Sequence, residues 1–298
     1  MGSLTSSFGP FDKTTPFLRV VNKNNKLNTP LFFKTERKIP KIAYNRDFGY
    51  LFISTRVLYI YSFSRVFIHL KKQETMKSKV RKEYEAALAK AEVTPFEGKD
   101  DVIDLYTDVV CGAVLVAEEN AKQIGGPTWQ NAGLCRTLLK YGSELEKVTG
   151  YGNVTDTLYW AAERMEESLF GHPRLRSELI NFIIHLLHII ECDTGHDLSS
   201  TDHFMEKLAR VDRNIQYADS GKLDLIEQGH MKDDPVEWTA RFEEVIDDAQ
   251  REALSHLKDT PRSMGFCHAY WSCLSDALSD RGIDWRSPAL MNPRCMFD

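Results

Sequence analysis

The 298-residue chain lacks the short motifs that fix a reaction. It has no G-x-S-x-G, no P-loop, no G-x-G-x-x-G and no H-E-x-x-H. The signatures of a serine-hydrolase elbow, a Walker-type NTPase, a dinucleotide site and a helical zinc protease are therefore missing. Its six cysteines, Cys111, Cys135, Cys192, Cys267, Cys273 and Cys295, are scattered, with no C-x-x-C pair. That spacing does not build a dense secreted disulfide framework and reads as reduced thiols. The first ten residues lack a basic stretch followed by an apolar one, so no signal peptide is read. The expected location is the cytoplasm, where the sequon Asn153-Val154-Thr155 carries no glycan.

Each part of the chain is short of one sign of charge. Residues 1–75 hold 13 Lys and Arg against four Asp and Glu, whereas residues 76–298 hold 25 against 39. The first stretch has one alanine, Ala43, nine of the sixteen phenylalanines, and no methionine between Met1 and Met76. Composition changes abruptly at Met76, and two readings follow: Met76 is the biological start and residues 1–75 a basic N-terminal extension that is not native, or residues 1–75 are a basic arm for nucleic acid or an acidic membrane surface. If ordered, 51–55 and 57–61 are β-prone by their aromatic and β-branched content. Arg56, Arg65 and His69 exclude a membrane span over 50–70, since each Arg costs about 2.5–3.5 kcal/mol near a bilayer centre. The acidic body, 76–298, argues against broad nucleic-acid binding, which needs clustered Lys and Arg.

Strand signals are few after residue 76, and apolar residues recur at three- and four-residue steps. The spacing predicts helices over about 78–91, 101–123, 129–148, 155–170, 175–192, 200–219, 234–257 and 265–280. Gly125, Gly150, Gly171, Pro261 and Gly282 punctuate them. The predicted fold class is all-α, a multi-helix bundle, preceded by a poorly structured or β-prone basic segment.

One helix carries a polar stripe. Between Leu179 and Ile190 the residues are apolar almost all round, which predicts a central core helix. Glu178, Asn181, His185, His188 and Cys192 interrupt that surface at steps of three and four, so they share one face. Such a line is either a solvent edge, a row of satisfied core groups, or a site between helices. Imidazole and thiolate are transition-metal ligands, so the metal reading names His185, His188, Glu191 and Cys192 around a divalent transition metal, with His196 and His203 near in sequence.

His196-Asp197 resembles the His-Asp pair of helical HD phosphohydrolases, but it follows Gly195, in a loop where that family has a helix, and no role is carried over. Glu163-x-x-Glu166 resembles half of the carboxylate pattern of all-α nucleotide pyrophosphatases, with Glu244-x-x-Asp247 as a distant second half. The one Glu-x-x-His, Glu227 to His230, contains Gly229 and is read as a loop.

The C-terminal segment is rich in distinctive residues: Gly265-Phe266-Cys267-His268-Ala269-Tyr270-Trp271, then Ile283-Asp284-Trp285-Arg286-Ser287-Pro288-Ala289-Leu290-Met291-Asn292-Pro293, and a final Phe297-Asp298. Residues 261–298, with a weaker extension over 234–239, resemble the C-terminal segments of uncharacterised bacterial proteins, phage or mobile-element ones among them. The resemblance implies a bacterial origin and no activity. Tyr270 and Trp271 are expected to anchor the last helix and Trp285 and Phe297 the tail. The rivals are a partner-binding surface of Tyr270, Trp271 and Trp285, or a zinc knot from Cys267, His268, Cys273 and Cys295. These residues leave two functional expectations: a protein acting through protein–protein contacts, with unknown partner and oligomeric state, or a metal-dependent hydrolase, possibly on nucleotides.

Overall fold

The computed structural model describes residues 79–122, 124–148 and 152–297, with the backbone alone at 152 and 153. The basic segment 1–75, its β-prone stretches, the Met76 start and the Gly150 stop lie outside the described residues. Those described form nine α-helices and no strand: α1 over 79–92, α2 Asp100–Ala121, α3 Asn131–Leu145, α4 Gly152–Ser168, α5 Pro173–Thr194, α6 Ser199–Asp219, α7 Ala240–His256, α8 Phe266–Ser279 and a single turn, α9 Pro288–Met291. The all-α bundle expected from periodicity is what the chain forms.

Two hydrophobic cores organise the helices. The first joins α1 to α6, and the second joins α7, α8 and the tail. The centre of the first core is α2, not α5. Val109, Val110, Ala113, Val114, Val116 and Ala117 are fully buried there, and α3 and α4 pack on them. Small and β-branched side chains let neighbouring backbones approach closely. Gly112 takes this furthest: a Cβ there would sit 3.2 Å from Tyr84 Cβ of α1. Helix α5 packs between α4 and α6 and buries Leu179, Ile180, Ile183, Leu186 and Leu187. Each such side chain contributes roughly 1.5–3 kcal/mol of transfer free energy.

A polar relay ties the first core together. Arg81 Nη2 donates to Asn120 Oδ1 at 3.0 Å, and Asn120 Nδ2 donates to Asn131 Oδ1 at 2.8 Å. Asn131 Nδ2 then donates to the carbonyls of Ala117 at 3.1 Å and Ser168 at 2.7 Å. Both asparagines are buried, and four helices are cross-linked by side chains whose polar groups are paired.

The expected helix over 234–257 is in fact two elements. Asp234 does act as a cap, its Oδ1 accepting from Val236 N at 3.2 Å, but the element it starts is a 3₁₀ turn, Pro235–Trp238. The backbone at Thr239 is extended, and its hydroxyl accepts from Phe242 N at 3.2 Å, which starts α7 at Ala240. Two caps five residues apart reset the helix axis. No helix among the described residues is long and apolar enough to cross a membrane.

Candidate functional site

The polar stripe of α5 is its solvent edge. Glu178, Asn181, His185, His188 and Cys192 are all exposed. His185 Nε2 lies 3.5 Å from Glu146 Oε2 at the end of α3. His188 Nδ1 lies 3.0 Å from Glu191 Oε2. Glu191 is turned the other way, toward α6: its Oε1 accepts from Thr201 Oγ1 at 2.6 Å and from Leu198 N at 2.8 Å. These bonds from Thr201 and Leu198, and then the one from His188, hold the Glu191 carboxyl below its ordinary range. Among the described residues, no three His, Cys, Asp or Glu side chains converge on a point where a metal could sit. An intramolecular set of His185, His188, Glu191 and Cys192 is therefore not assembled, because the face that carries the stripe meets solvent and not a facing helix. The pair His196-Asp197 lies in the exposed loop after Gly195, and His203 stacks edge-on against Phe204 at 5.5 Å.

The two acidic motifs are also drawn into separate pairs. Glu166 is buried and takes Arg176 Nε at 2.5 Å on one oxygen and Lys207 Nζ at 2.6 Å on the other. Burial alone would raise its pKa, but the two cations win and lower it. Glu163 accepts from Tyr159 at 3.1 Å, and Glu244 pairs with Arg241 on the surface. Asp247 belongs to a different group altogether. Its Oδ1 is 2.9 Å from Nε2 of His172, which is buried in the tight connection between α4 and α5.

His172 sits where the two cores meet. Its Nδ1 lies 3.7 Å from Glu243 Oε1, an ion-pair distance and not a hydrogen bond. Burial opposes a charge on this ring, yet Asp247 and Glu243 outweigh it and raise the pKa to about 9. Glu243 also accepts, at 3.4 Å each, from the backbone N–H groups of Arg174 and Leu175, and so neutralises the start of α5. Arg174 completes the seam by pairing with Glu243 and Asp219. Gly171, with φ +74°, permits the approach: a Cβ there would meet Ile246 Cγ1 at 3.1 Å. Sequence reading did not single out His172. The one available signal was a histidine held between Gly171 and Pro173, at a connection too short to leave its side chain in water.

The C-terminal segment folds back on the 3₁₀ turn. Trp285 Nε1 donates to Glu237 Oε1 at 2.7 Å, and Arg286 N donates to Asp234 Oδ2 at 2.7 Å. Asn292 exchanges two bonds with the backbone of Lys232, at 2.9 and 2.8 Å. Phe297 stacks edge-on against Trp271 at 5.1 Å. The segments 234–239 and 261–297 thus pack together as one unit.

Tyr270, Trp271 and Trp285 each expose no more than 8% of their surface. In this fold they serve packing and do not form an open surface. The four zinc-knot candidates are apart in role: Cys267 is buried, with its thiol donating to the Phe297 carbonyl at 3.7 Å. His268 stacks against Trp271, Cys273 lines a cleft with Glu252 and His256, and Cys295 lies 3.9 Å from Met231 Sδ.

Two open clefts lie among the described residues. One of about 360 Å³ lies between residues 91–95, Tyr106 and Tyr141, and one of about 320 Å³ between α7 and α8. They stand at the lower end of the range for small-molecule sites. In comparisons with known proteins, no family model, no curated relative and no solved structure matches this chain.

Proposed function

We propose that this protein is a helical interaction module that grips another protein through the outer edge of its C-terminal tail. The observation that carries this reading is the two-sidedness of the tail. Its inner side, Trp285, Asn292 and Phe297, is held by hydrogen bonds to Glu237 and Lys232 and by the ring of Trp271. Its outer side presents Leu290, 70% exposed, and Met296, 97% exposed, with Cys295 against Met231 between them.

Single exposed apolar side chains are ordinary on any surface. Here Leu290, Cys295 and Met296 share one short stretch whose backbone is fixed from behind, so little ordering entropy opposes binding. Methionine adapts to irregular apolar partners. The chemistry suits the apolar face of an amphipathic helix on a partner. The resemblance of this tail to those of uncharacterised bacterial proteins fits the reading, since the likeness falls on the unit that holds the edge in place.

The test uses the full chain with a photo-crosslinking residue at position 290 or 296, expressed in its host. The expected result is a discrete cross-linked protein, lost in a Leu290→Glu, Met296→Glu double variant. It should be retained in Val93→Glu, a change at an equally exposed position just past the end of α1. Circular dichroism would confirm that all three chains fold. No cross-linked protein at either position, or one that survives the double variant, would refute the proposal.

A further inference from the structure

The exposed end of α5 has a property that a plain solvent edge does not need. Its imidazole is oriented. The 3.0 Å contact of His188 Nδ1 with Glu191 Oε2 assigns the ring proton to Nδ1 and leaves Nε2 as the lone-pair nitrogen. Glu191 is itself immobilised by Thr201 and Leu198 N, so the ring is held by a fixed carboxylate and not by a free one. A carboxylate behind a histidine, fixing its tautomer and raising its basicity, is the usual support of a metal-bound imidazole. Cys192, an exposed free thiol, follows at i+4, one turn along the same face. That is the spacing at which two side chains of one helix reach a common ion.

From Ser177 to Glu206 the chain has six Asp and Glu, no Lys or Arg, and four of its nine histidines. Within one chain the ligand set stops at two. His185 is drawn toward Glu146, and no third ligand converges among the described residues. Zinc in a closed site takes four ligands in a tetrahedron.

We infer that His188 and Cys192 form a half-site for Zn²⁺ that is completed by the same two residues of a second copy. A twofold axis through the ion generates a Cys₂His₂ set from one exposed helix face on each chain. His188 binds through Nε2 and Cys192 through its thiolate, so each chain releases the thiol proton on binding and one ion serves two chains. Glu191 is a positioning residue: it aims the imidazole and does not touch the metal. His185 is outside the set.

The experiment takes the full chain in a non-thiol reductant and measures its mass by light scattering, with and without one Zn²⁺ per two chains. The same chain is titrated with Co²⁺. The expected result is a zinc-dependent doubling of mass, reversed by a chelator, and a Co²⁺ spectrum with tetrahedral d–d bands and thiolate-to-cobalt charge transfer. Cys192→Ser and His188→Ala should abolish both, and His185→Ala should change neither. Glu191→Gln should keep the form of the Co²⁺ spectrum while weakening affinity about 10–100-fold. Because His188 and Cys192 are exposed, their variants should remain folded by circular dichroism. Three results would each overturn the proposal: zinc held by a monomer, a dimer indifferent to Cys192→Ser or dissolved by stronger reductant, or no uptake at micromolar zinc.

Discussion

Trp285 Nε1 donates to Glu237 Oε1 at 2.7 Å, and this bond, together with that of Arg286 N to Asp234, joins the tail to the turn that precedes α7. Burial, assisted by the nearby charges of Asp233 and Asp234, pushes the Glu237 carboxyl up to about 8 against the bond from Trp285. The folded state therefore holds a proton that the unfolded chain releases near pH 4.5. Stability from this group is complete below that value and is lost as pH rises through about 8, on the order of 5 kcal/mol. Glu237→Gln keeps the acceptor and removes the titration. Urea unfolding at pH 5, 6.5 and 8 should show the wild type falling relative to the variant. Parallel curves would show that Glu237 does not titrate in this window.

His172 behaves alike in sign but in a later window. Its pKa rises from 6.5 to about 9, so its stabilising charge is fully present below pH 6.5 and is lost as pH passes about 9. The loss is about 3 kcal/mol if Asp247 and Glu243 stay ionised. His172→Gln should be less stable than wild type at pH 6 and close to it at pH 10. A constant difference between the two chains would rule out a charged His172 at the seam.

Asn131 completes the relay from Arg81 through Asn120. Asn131→Leu leaves the Asn120 amide and the carbonyls of Ala117 and Ser168 without that partner in a dry core. Each unsatisfied group costs about 1–3 kcal/mol, so a loss of at least about 3 kcal/mol is expected in denaturant titration. Asn181→Ala, on the exposed stripe, should stay within about 0.5 kcal/mol.

Tyr141 presents the opposite case. Its hydroxyl is buried and has no hydrogen-bond partner among the described residues. The ring packs edge-on against Tyr106 at 4.8 Å, a contact that phenylalanine would keep. Tyr141→Phe should therefore be neutral or stabilising by up to about 1 kcal/mol. A clear loss of melting temperature would mean that the hydroxyl is paired in solution.

The eight longer helices were legible because burial on one face imposes a 3.6-residue period on the chain, whereas the single turn Pro288–Met291 was not. The bounds of α5 were read within a few residues, since Pro173 and Gly195 mark them chemically. The break at Thr239 was not legible. Asp234, Pro235 and Glu237 form a good local start signal, and the extended backbone at Thr239, the second cap, ends that turn and starts α7. The stripe on α5 was visible as a line of five polar residues. Its direction was not, because periodicity states which residues share a face and not what that face meets.

The residues themselves determined the helices, the aromatic anchoring of the tail and the absence of familiar catalytic motifs. Those properties depend on side-chain type and short spacing, which a linear chain carries in full. Tertiary structure alone decided the partners of the acids. Glu166 and Asp247 read as members of acidic pairs, but one is closed by Arg176 and Lys207 and the other holds His172, 75 residues away in the chain. Electrostatic interaction depends on distance through the fold and on the water excluded between the groups, and neither quantity is written in sequence order.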